Sequence, residues 1–284
     1  MRHNVSLLGL ALLVALASGS HETHDEVTEA QTPIATGNGD GNGDGDSFEC
    51  KHPPYTTQIV SSSPLLVYLK GFLTPEERAH LRSASRDAFR RSAIGGGSRS
   101  AQRTSSSAYI GRDPVVHCIE ERAAAFQGHD VSRAQLEPLQ LVRYAPSERY
   151  NLHTDWFSDK SDADAGWKLA TNGGNRISSF FSYVYVSSDT TGGGTNFPLI
   201  SAPKDERWCD VVDCDEPWER GVTFRPIEGN AIFWANLYAD GSGDQRTLHA
   251  GLPVTSGDKI GINIWTRQAM LAEEVRGVDE YPEV

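Results

Sequence analysis

The sequence predicts an α+β chain, mainly β, with N-terminal helices packed outside a double-stranded β-helix (jelly-roll) core. Helix starts stand early in the chain, at Thr74-Pro-Glu-Glu77 and Asp113-Pro114. After Leu136 the pattern changes to short aromatic and β-branched runs separated by Gly and Asn clusters, the mark of many short strands. Between an acidic low-complexity stretch and an acidic tail lie roughly 220 residues, enough for one such domain, taken as 51–270.

Taken in order, the elements have local reasons. Thr74 is an N-cap, Pro75 the first helical residue and Glu77 the returning side chain of a capping box, which predicts a helix through about Arg91. Asp113 and Pro114 open a second helix, to about Phe126. Strands follow at Phe180–Val186, Gly229–Trp234 and Lys259–Arg267, with no internal repeat. In the last of these, Lys259, Gly261, Asn263, Trp265 and Arg267 share one face and Ile260, Ile262 and Ile264 the other. A purely structural strand would turn the polar face to water. Trp265 on that face suits a ligand-lined cavity better, and a lysine inside a barrel is costly unless an anion meets it.

The flanks read as an extracytosolic chain. Arg2-His3 precede an apolar run from Val5 to Ala17 ending in the small-x-small Ala15-Leu-Ala17, which predicts a signal peptide over 1–19. A retained signal-anchor is the alternative, and the only expected route to a membrane. The stretch 20–50 has eight acidic residues and no lysine or arginine, and reads as a solvated linker. Within it Gly37–Asp46 has Asp40, Asn42 and Asp44 at calcium-loop spacing, but the twelfth position is Lys51 where a glutamate belongs. Four cysteines permit three disulfide pairings. The closeness of Cys209 and Cys214 favours that pair, leaving Cys50 with Cys118. The secretory pathway, either the endoplasmic reticulum lumen or outside the cell, is the expected location.

Formal net charge is −12, of which the linker supplies −8 and the tail 271–284 supplies −4. The core is close to neutral, which argues against a nucleic-acid substrate and suits a neutral peptide or small molecule.

Chemistry concentrates in His153 and Asp155, within Tyr150-Asn-Leu-His-Thr-Asp-Trp-Phe157, and in His249. Positions i and i+2 of a strand project the same way, so His153 and Asp155 can grip one ion, with His249 arriving from a distant strand. Two imidazoles and a carboxylate leave half of an octahedral Fe(II) shell open. Lys259 follows His249 by ten residues, as a docking point for an organic acid. The turn residues of Pro253–Asp258 predict that the His249 and Lys259 strands are neighbours.

Several ordered blocks resemble the prolyl 4-hydroxylase branch of the Fe(II)- and 2-oxoglutarate-dependent dioxygenases. They are Arg103-Thr-Ser-Ser-Ser-Ala-Tyr-Ile110, Gly173-Gly-Asn-Arg176 with Phe180–Val186, Gly192-Gly-Gly-Thr-Asn-Phe-Pro198, Gly229–Trp234 and His249–Lys259. The resemblance runs from about Pro64 to Gln268. It implies His153, Asp155 and His249 as iron ligands, and Lys259, Tyr144 and Thr195 around 2-oxoglutarate. It further implies Tyr150, Arg176 and Trp265 along a peptide groove, and a mobile loop over Arg103–Tyr109 closing on the peptide. The implied cofactors are Fe(II), 2-oxoglutarate, O2 and ascorbate. The implied reaction is hydroxylation of a peptidyl proline with release of succinate and CO2.

Three departures bear on substrate. Asn151-Leu152 replace the Glu-Pro that usually precedes the first iron histidine, Gly194 replaces a glutamate, and Arg267 stands where relatives often carry histidine. Arg267 is read as either a structural ion pair or a substrate contact. The same chemistry on another side chain or a small metabolite, and a non-catalytic jelly-roll binding module, are the alternatives.

Overall fold

The computed structural model describes residues 48–92, 103–158, 166 and 172–277. The expected leader, the linker up to residue 47 and the end of the tail (278–284) lie outside the described residues.

Helix α1 spans Pro75–Ser85, α2 Pro114–Gln127 and α3 Glu273–Arg276. The capping box is formed: Thr74 Oγ1 accepts from the Glu77 N–H at 3.1 Å, and Glu77 Oε2 accepts from the Thr74 N–H at 2.9 Å. Asp113 Oδ1 accepts from the Val115 and Val116 N–H groups, both at 2.9 Å. One expectation fails here. Helix α1 stops at Ser85 rather than near Arg91, where the Ser85 hydroxyl donates back to the Leu81 carbonyl at 2.8 Å, a bond that competes with continued helix.

The first strands are β1 (Thr56–Ser62), β2 (Leu65–Lys70), β3 (Arg90–Arg91), β4 (Ser106–Tyr109), β5 (Gln140–Tyr144), β6 (Tyr150–His153) and β7 (Arg176–Val186). Then come β8 (Thr191–Gly192), β9 (Thr195–Phe197), β10 (Val222–Phe224), β11 (Ala231–Ala235), β12 (His249–Gly251), β13 (Val254–Ser256) and β14 (Lys259–Arg267). An eight-stranded sheet has the order β1-β2-β11-β7-β14-β5-β4-β3, a four-stranded sheet the order β10-β9-β12-β6, and β13 pairs with β8. Helices therefore do not come first: β1 and β2 precede α1, and β2 pairs with β11 across most of the chain.

Alternation along the central strands makes two cores. Leu69, Phe180, Phe233, Ile260, Ile262 and Ile264 face the helices and meet Leu81, Val116 and Ile119. Tyr68, Val142, Tyr144, Phe181, Tyr183 and Trp234 face the small sheet and meet Phe197, Val222 and Phe224. Phe180 stacks on Phe72 at 5.4 Å and meets Phe126 edge-on at 5.5 Å. Truncating it to alanine would cost about 3–5 kcal/mol. Between the helices, Arg122 holds both Glu77 carboxylate oxygens at 2.6 and 2.8 Å, and donates to the Lys51 carbonyl at 3.2 Å. Disulfides join Cys50 to Cys118 and Cys209 to Cys214, each with Cα atoms 5.4 Å apart. No described helix is long and apolar enough to cross a membrane.

Strands β12 and β14 are not neighbours, contrary to the reading of Pro253–Asp258. That segment crosses from one sheet to the other and carries β13. Sheet-to-sheet crossing places the two strands in the two facing sheets, which a hairpin would not do.

Candidate active site

His153 and His249 are direct cross-strand partners in the antiparallel β6–β12 pair. Opposed residues on one face lie within side-chain reach, and the imidazole centroids are 4.3 Å apart. Asp155 lies two residues past His153, just beyond the end of β6. The loop that carries it is pinned by Trp156, whose ring lies against Gly243, leaving no room there for a Cβ, and whose N–H donates to the Asp244 carbonyl at 3.2 Å. Asp155 Oδ1 stands 3.7 Å from His153 Nε2 and 3.8 Å from His249 Nε2. One ligating atom from each residue falls within 4.8 Å of the others, close enough to share one ion.

The remaining atoms of these side chains are committed. His153 Nδ1 lies 2.8 Å from the Asn151 carbonyl and His249 Nδ1 2.9 Å from the Thr247 carbonyl. Carbonyls only accept, so the Nδ1 atoms carry the protons and the Nε2 lone pairs face the centre. Burial, and then the proximity of His249, hold His153 well below the ordinary histidine range. Burial alone would raise the Asp155 carboxyl, but His249, His153, Arg176 and a hydrogen bond outweigh it and keep it ionised. Its second oxygen accepts from Ser179 Oγ at 2.7 Å and from Trp265 Nε1 at 3.0 Å. Asn236 supports Ser179 in turn, donating from Nδ2 at 2.9 Å. Two imidazoles presenting Nε2 and a held carboxylate fit Fe(II) with open positions.

Lys259 begins β14 on the opposite wall. It is fully buried and sits in register with Tyr144 on β5. Its ammonium donates to the Gly193 carbonyl and lies 4.7 Å from the Tyr144 ring and 5.6 Å from each of the Phe181 and Tyr183 rings. No carboxylate pairs with it among the described residues. Burial alone depresses its pKa to about 7. Thr195, also buried, bonds the Tyr183 hydroxyl at 2.8 Å, tying the two sheets together beside the lysine. An ammonium in this setting lacks its anion.

The outer residues form a packed rim. Tyr150 stacks on the His153 ring at 3.6 Å, with the Arg103 guanidinium 4.6 Å above it. Arg103 is 6% exposed, not a solvated loop residue, and donates to Ser105 and Gln140 at 3.1 Å each. Ser106–Tyr109 is strand β4, hydrogen-bonded to β5. This corrects the expected loop over Arg103–Tyr109: its second half is sheet, and residues 93–102 before it lie outside the described residues. Arg176 stacks over Trp265 at 3.7 Å and pairs with both Glu137 oxygens at 2.7 Å. Arg267, fully buried, donates to Glu137 at 3.3 Å and to the Asn172 carbonyl at 2.5 and 3.0 Å. Of its two readings, this geometry is that of the structural ion pair. Gly194 has a local cause too. A Cβ there would meet the Phe224 carbonyl at 2.8 Å and Thr223 Cγ2 at 2.9 Å, so no glutamate fits.

Sequence reasoning missed Glu137, Ser179, Phe181 and Tyr183. The last three share the inner face of β7, and alternation from Phe181 could have found them. Glu137 has no such signal, because it lies outside the named strands.

Comparison with known proteins gives a consistent picture. Residues 139–267 match the family described as the 2OG-Fe(II) oxygenase superfamily. Prolyl 4-hydroxylase 2 of Arabidopsis thaliana is 33% identical over 227 residues, covering 75% of this chain and 70% of that protein. The probable prolyl 4-hydroxylase 4 of the same plant is 32% identical over 223 residues, with 75% and 70% covered. Among solved structures, a viral collagen prolyl hydroxylase from Paramecium Bursaria Chlorella virus-1, in complex with 2OG, superposes with a TM-score of 0.51 at 23% identity. It covers 71% of this chain and 95% of that one, a likeness of fold.

Proposed function

The chain belongs to the prolyl 4-hydroxylase branch of the 2OG-Fe(II) oxygenases, and from that premise we propose that it hydroxylates peptidyl proline at C4. The balanced reaction takes one O2 and one 2-oxoglutarate per proline and releases succinate and CO2. One oxygen atom enters the C–H bond and the other the succinate carboxylate. The observation that carries the proposal is the pairing of a His153–Asp155–His249 cluster with a buried, anion-free Lys259 across the same barrel. A binding module or a hydrolase has no use for that ammonium.

When bound, Fe(II) and 2-oxoglutarate supply O2 activation coupled to oxidative decarboxylation. The protein's part is positioning and exclusion. His153, Asp155 and His249 hold the metal through Nε2, Oδ1 and Nε2. Lys259 pairs with the distal carboxylate of the keto-diacid, and the Tyr144 ring and the Thr195 hydroxyl shape the space beside it. Tyr150, Trp265 and Arg176 form the wall on which a proline ring and its peptide bonds lie. Arg103 and Arg267 brace that wall through Tyr150 and Glu137 respectively. Two disulfides suit an oxidising compartment, and we place the enzyme in the secretory pathway, acting on proline-containing peptides or secreted proteins.

The test is succinate release from 2-oxoglutarate with Fe(II) and ascorbate over a panel of proline-containing peptides and free amino acids, with 4-hydroxyproline read by mass spectrometry. Peptide-stimulated turnover with hydroxyproline formation is expected, and its loss in His249→Ala. Stimulation by free amino acids alone would move the substrate to a small metabolite.

A further inference from the structure

A second region of concentrated charge lies on the opposite face of the large sheet from Lys259. A cleft of about 360 Å³ opens between α1 and the outer face of β14, β5 and β7. Arg82 enters it from α1, Arg86 from the C-cap of that helix and Arg143 from β5. Arg143 and Ile260 are register partners there, each one residue along from Tyr144 and Lys259. The cleft is thus one sheet thickness away from the cosubstrate wall and is no part of it.

The arginines in the cleft differ from most others in the protein. Arg78, Arg112, Arg122, Arg176, Arg225 and Arg246 each pair with a carboxylate. Arg82, Arg86 and Arg143 are exposed, and none of them has an ion-pair partner among the described residues. Aromatic rings hold two of them in place, with Arg82 3.8 Å over Tyr185 and Arg143 4.8 Å over Phe89. One carboxylate, Asp258, also lines the cleft. Three guanidiniums, two of them oriented by rings, in a chain of net charge −12 form a recognition surface for carboxylates or phosphates.

The same chain carries a suitable occupant. Asp40, Asp44 and Asp46 lie in Gly37-Asn-Gly-Asp-Gly-Asn-Gly-Asp-Gly-Asp46, with no basic or bulky side chain among them. The chain enters the fold against α2 and the first turn of α1. Cys50 is tied to Cys118, and the Lys51 carbonyl accepts from Arg122, which grips Glu77 in the first turn of α1. Arg82 lies five residues further along that helix and Arg86 nine, at its C-cap, on the order of 8 to 14 Å away along the axis and roughly 140° to 180° around it. Counted from Cys50, ten residues of extended chain reach about 33 Å and six about 20 Å, so Asp40 and Asp44 can span the distance. Tethering at this range gives an effective concentration in the millimolar region, enough to populate contacts that are individually weak.

We propose that the arginine cleft of Arg82, Arg86 and Arg143 is the docking site for the protein's own acidic Gly37–Asp46 stretch. Docking neutralises the basic face and lays the N-terminal chain across the outside of the barrel. It is electrostatic, so salt releases it.

The test uses the full chain and a variant carrying Asp40→Asn, Asp44→Asn and Asp46→Asn. Arginine modification by phenylglyoxal is mapped residue by residue by mass spectrometry at low salt, with exposed Arg149 as internal reference. In the parent, Arg82, Arg86 and Arg143 should react about threefold more slowly than in the variant, corresponding to roughly two-thirds occupancy of a tethered contact. At high salt the two proteins should react alike. Equal rates in parent and variant at low salt would overturn the proposal. So would equal rates together with protection of the three arginines on adding poly-glutamate or inorganic phosphate, which would assign the cleft to a separate anion.

Discussion

Strand β14 carries a fully buried cation at each end, and the two are treated in opposite ways. Arg267 is satisfied within the protein, by Glu137 and the Asn172 carbonyl. Lys259 meets one backbone carbonyl and three aromatic rings, with no carboxylate partner. Burial of an unpaired ammonium opposes folding, while a paired guanidinium is held in place. Under the proposed function, the difference separates a residue that waits for a ligand from one that braces the wall near it. It also assigns the cost of function to one end of a single strand.

Lys259→Met should break this contrast most severely. Removing one partner of a desolvated ion pair costs about 3–5 kcal/mol, so 2-oxoglutarate affinity should fall about 100-fold or more. Without the cosubstrate, the same variant should be more stable than the parent. The Lys259 pKa is about 7 in the folded protein against 10.5 as the ordinary value. Between those values the unfolded chain binds more protons, so the parent gains stability as pH rises. The advantage of the variant should therefore be largest below pH 7 and shrink toward pH 10.5, read as the Tm difference across that window.

Arg267→Met should do the reverse. Glu137 keeps Arg176 but loses one buried partner, so unfolding free energy should drop by about 2 kcal/mol. The KM for 2-oxoglutarate should stay unchanged. A shifted cosubstrate KM would place Arg267 in the site rather than behind it. A smaller effect is expected from Ser179→Ala, which removes one of the two donors holding the Asp155 oxygen turned away from the metal. Iron affinity, measured by equilibrium metal binding, should weaken about tenfold, with peptide KM close to that of the parent.

Much of this site could be read in advance because its parts obey simple periods. His153 and Asp155 share a face as i and i+2, and the Lys259 strand alternates from end to end. The helix starts at Thr74 and Asp113 are local chemistry, legible in four residues. Other features escaped because they depend on register. Strand β7 slips against β14 between Arg176 and Ser178, an irregularity that turns Arg176 and Ser179 to the same side despite their odd separation. No alternation rule could link Arg176 to Asp155. The Gly and Asp of Pro253–Asp258 suggest a turn between neighbouring strands, but nothing local distinguishes a hairpin from a crossing between sheets. Glu137 was invisible for a related reason: its partners lie 39 and 130 residues away.

The most direct test is anaerobic calorimetric titration of 2-oxoglutarate into the Fe(II)-loaded enzyme at pH 8, in buffers of different ionisation enthalpy. A lysine with pKa about 7 is mostly neutral at that pH, so binding of the dianion should draw close to one proton from the buffer. Lys259→Met should bind far more weakly and take up none. Equal affinity in the two proteins, with no proton exchanged in either, would contradict the assignment of Lys259 as the anchor of the keto-diacid.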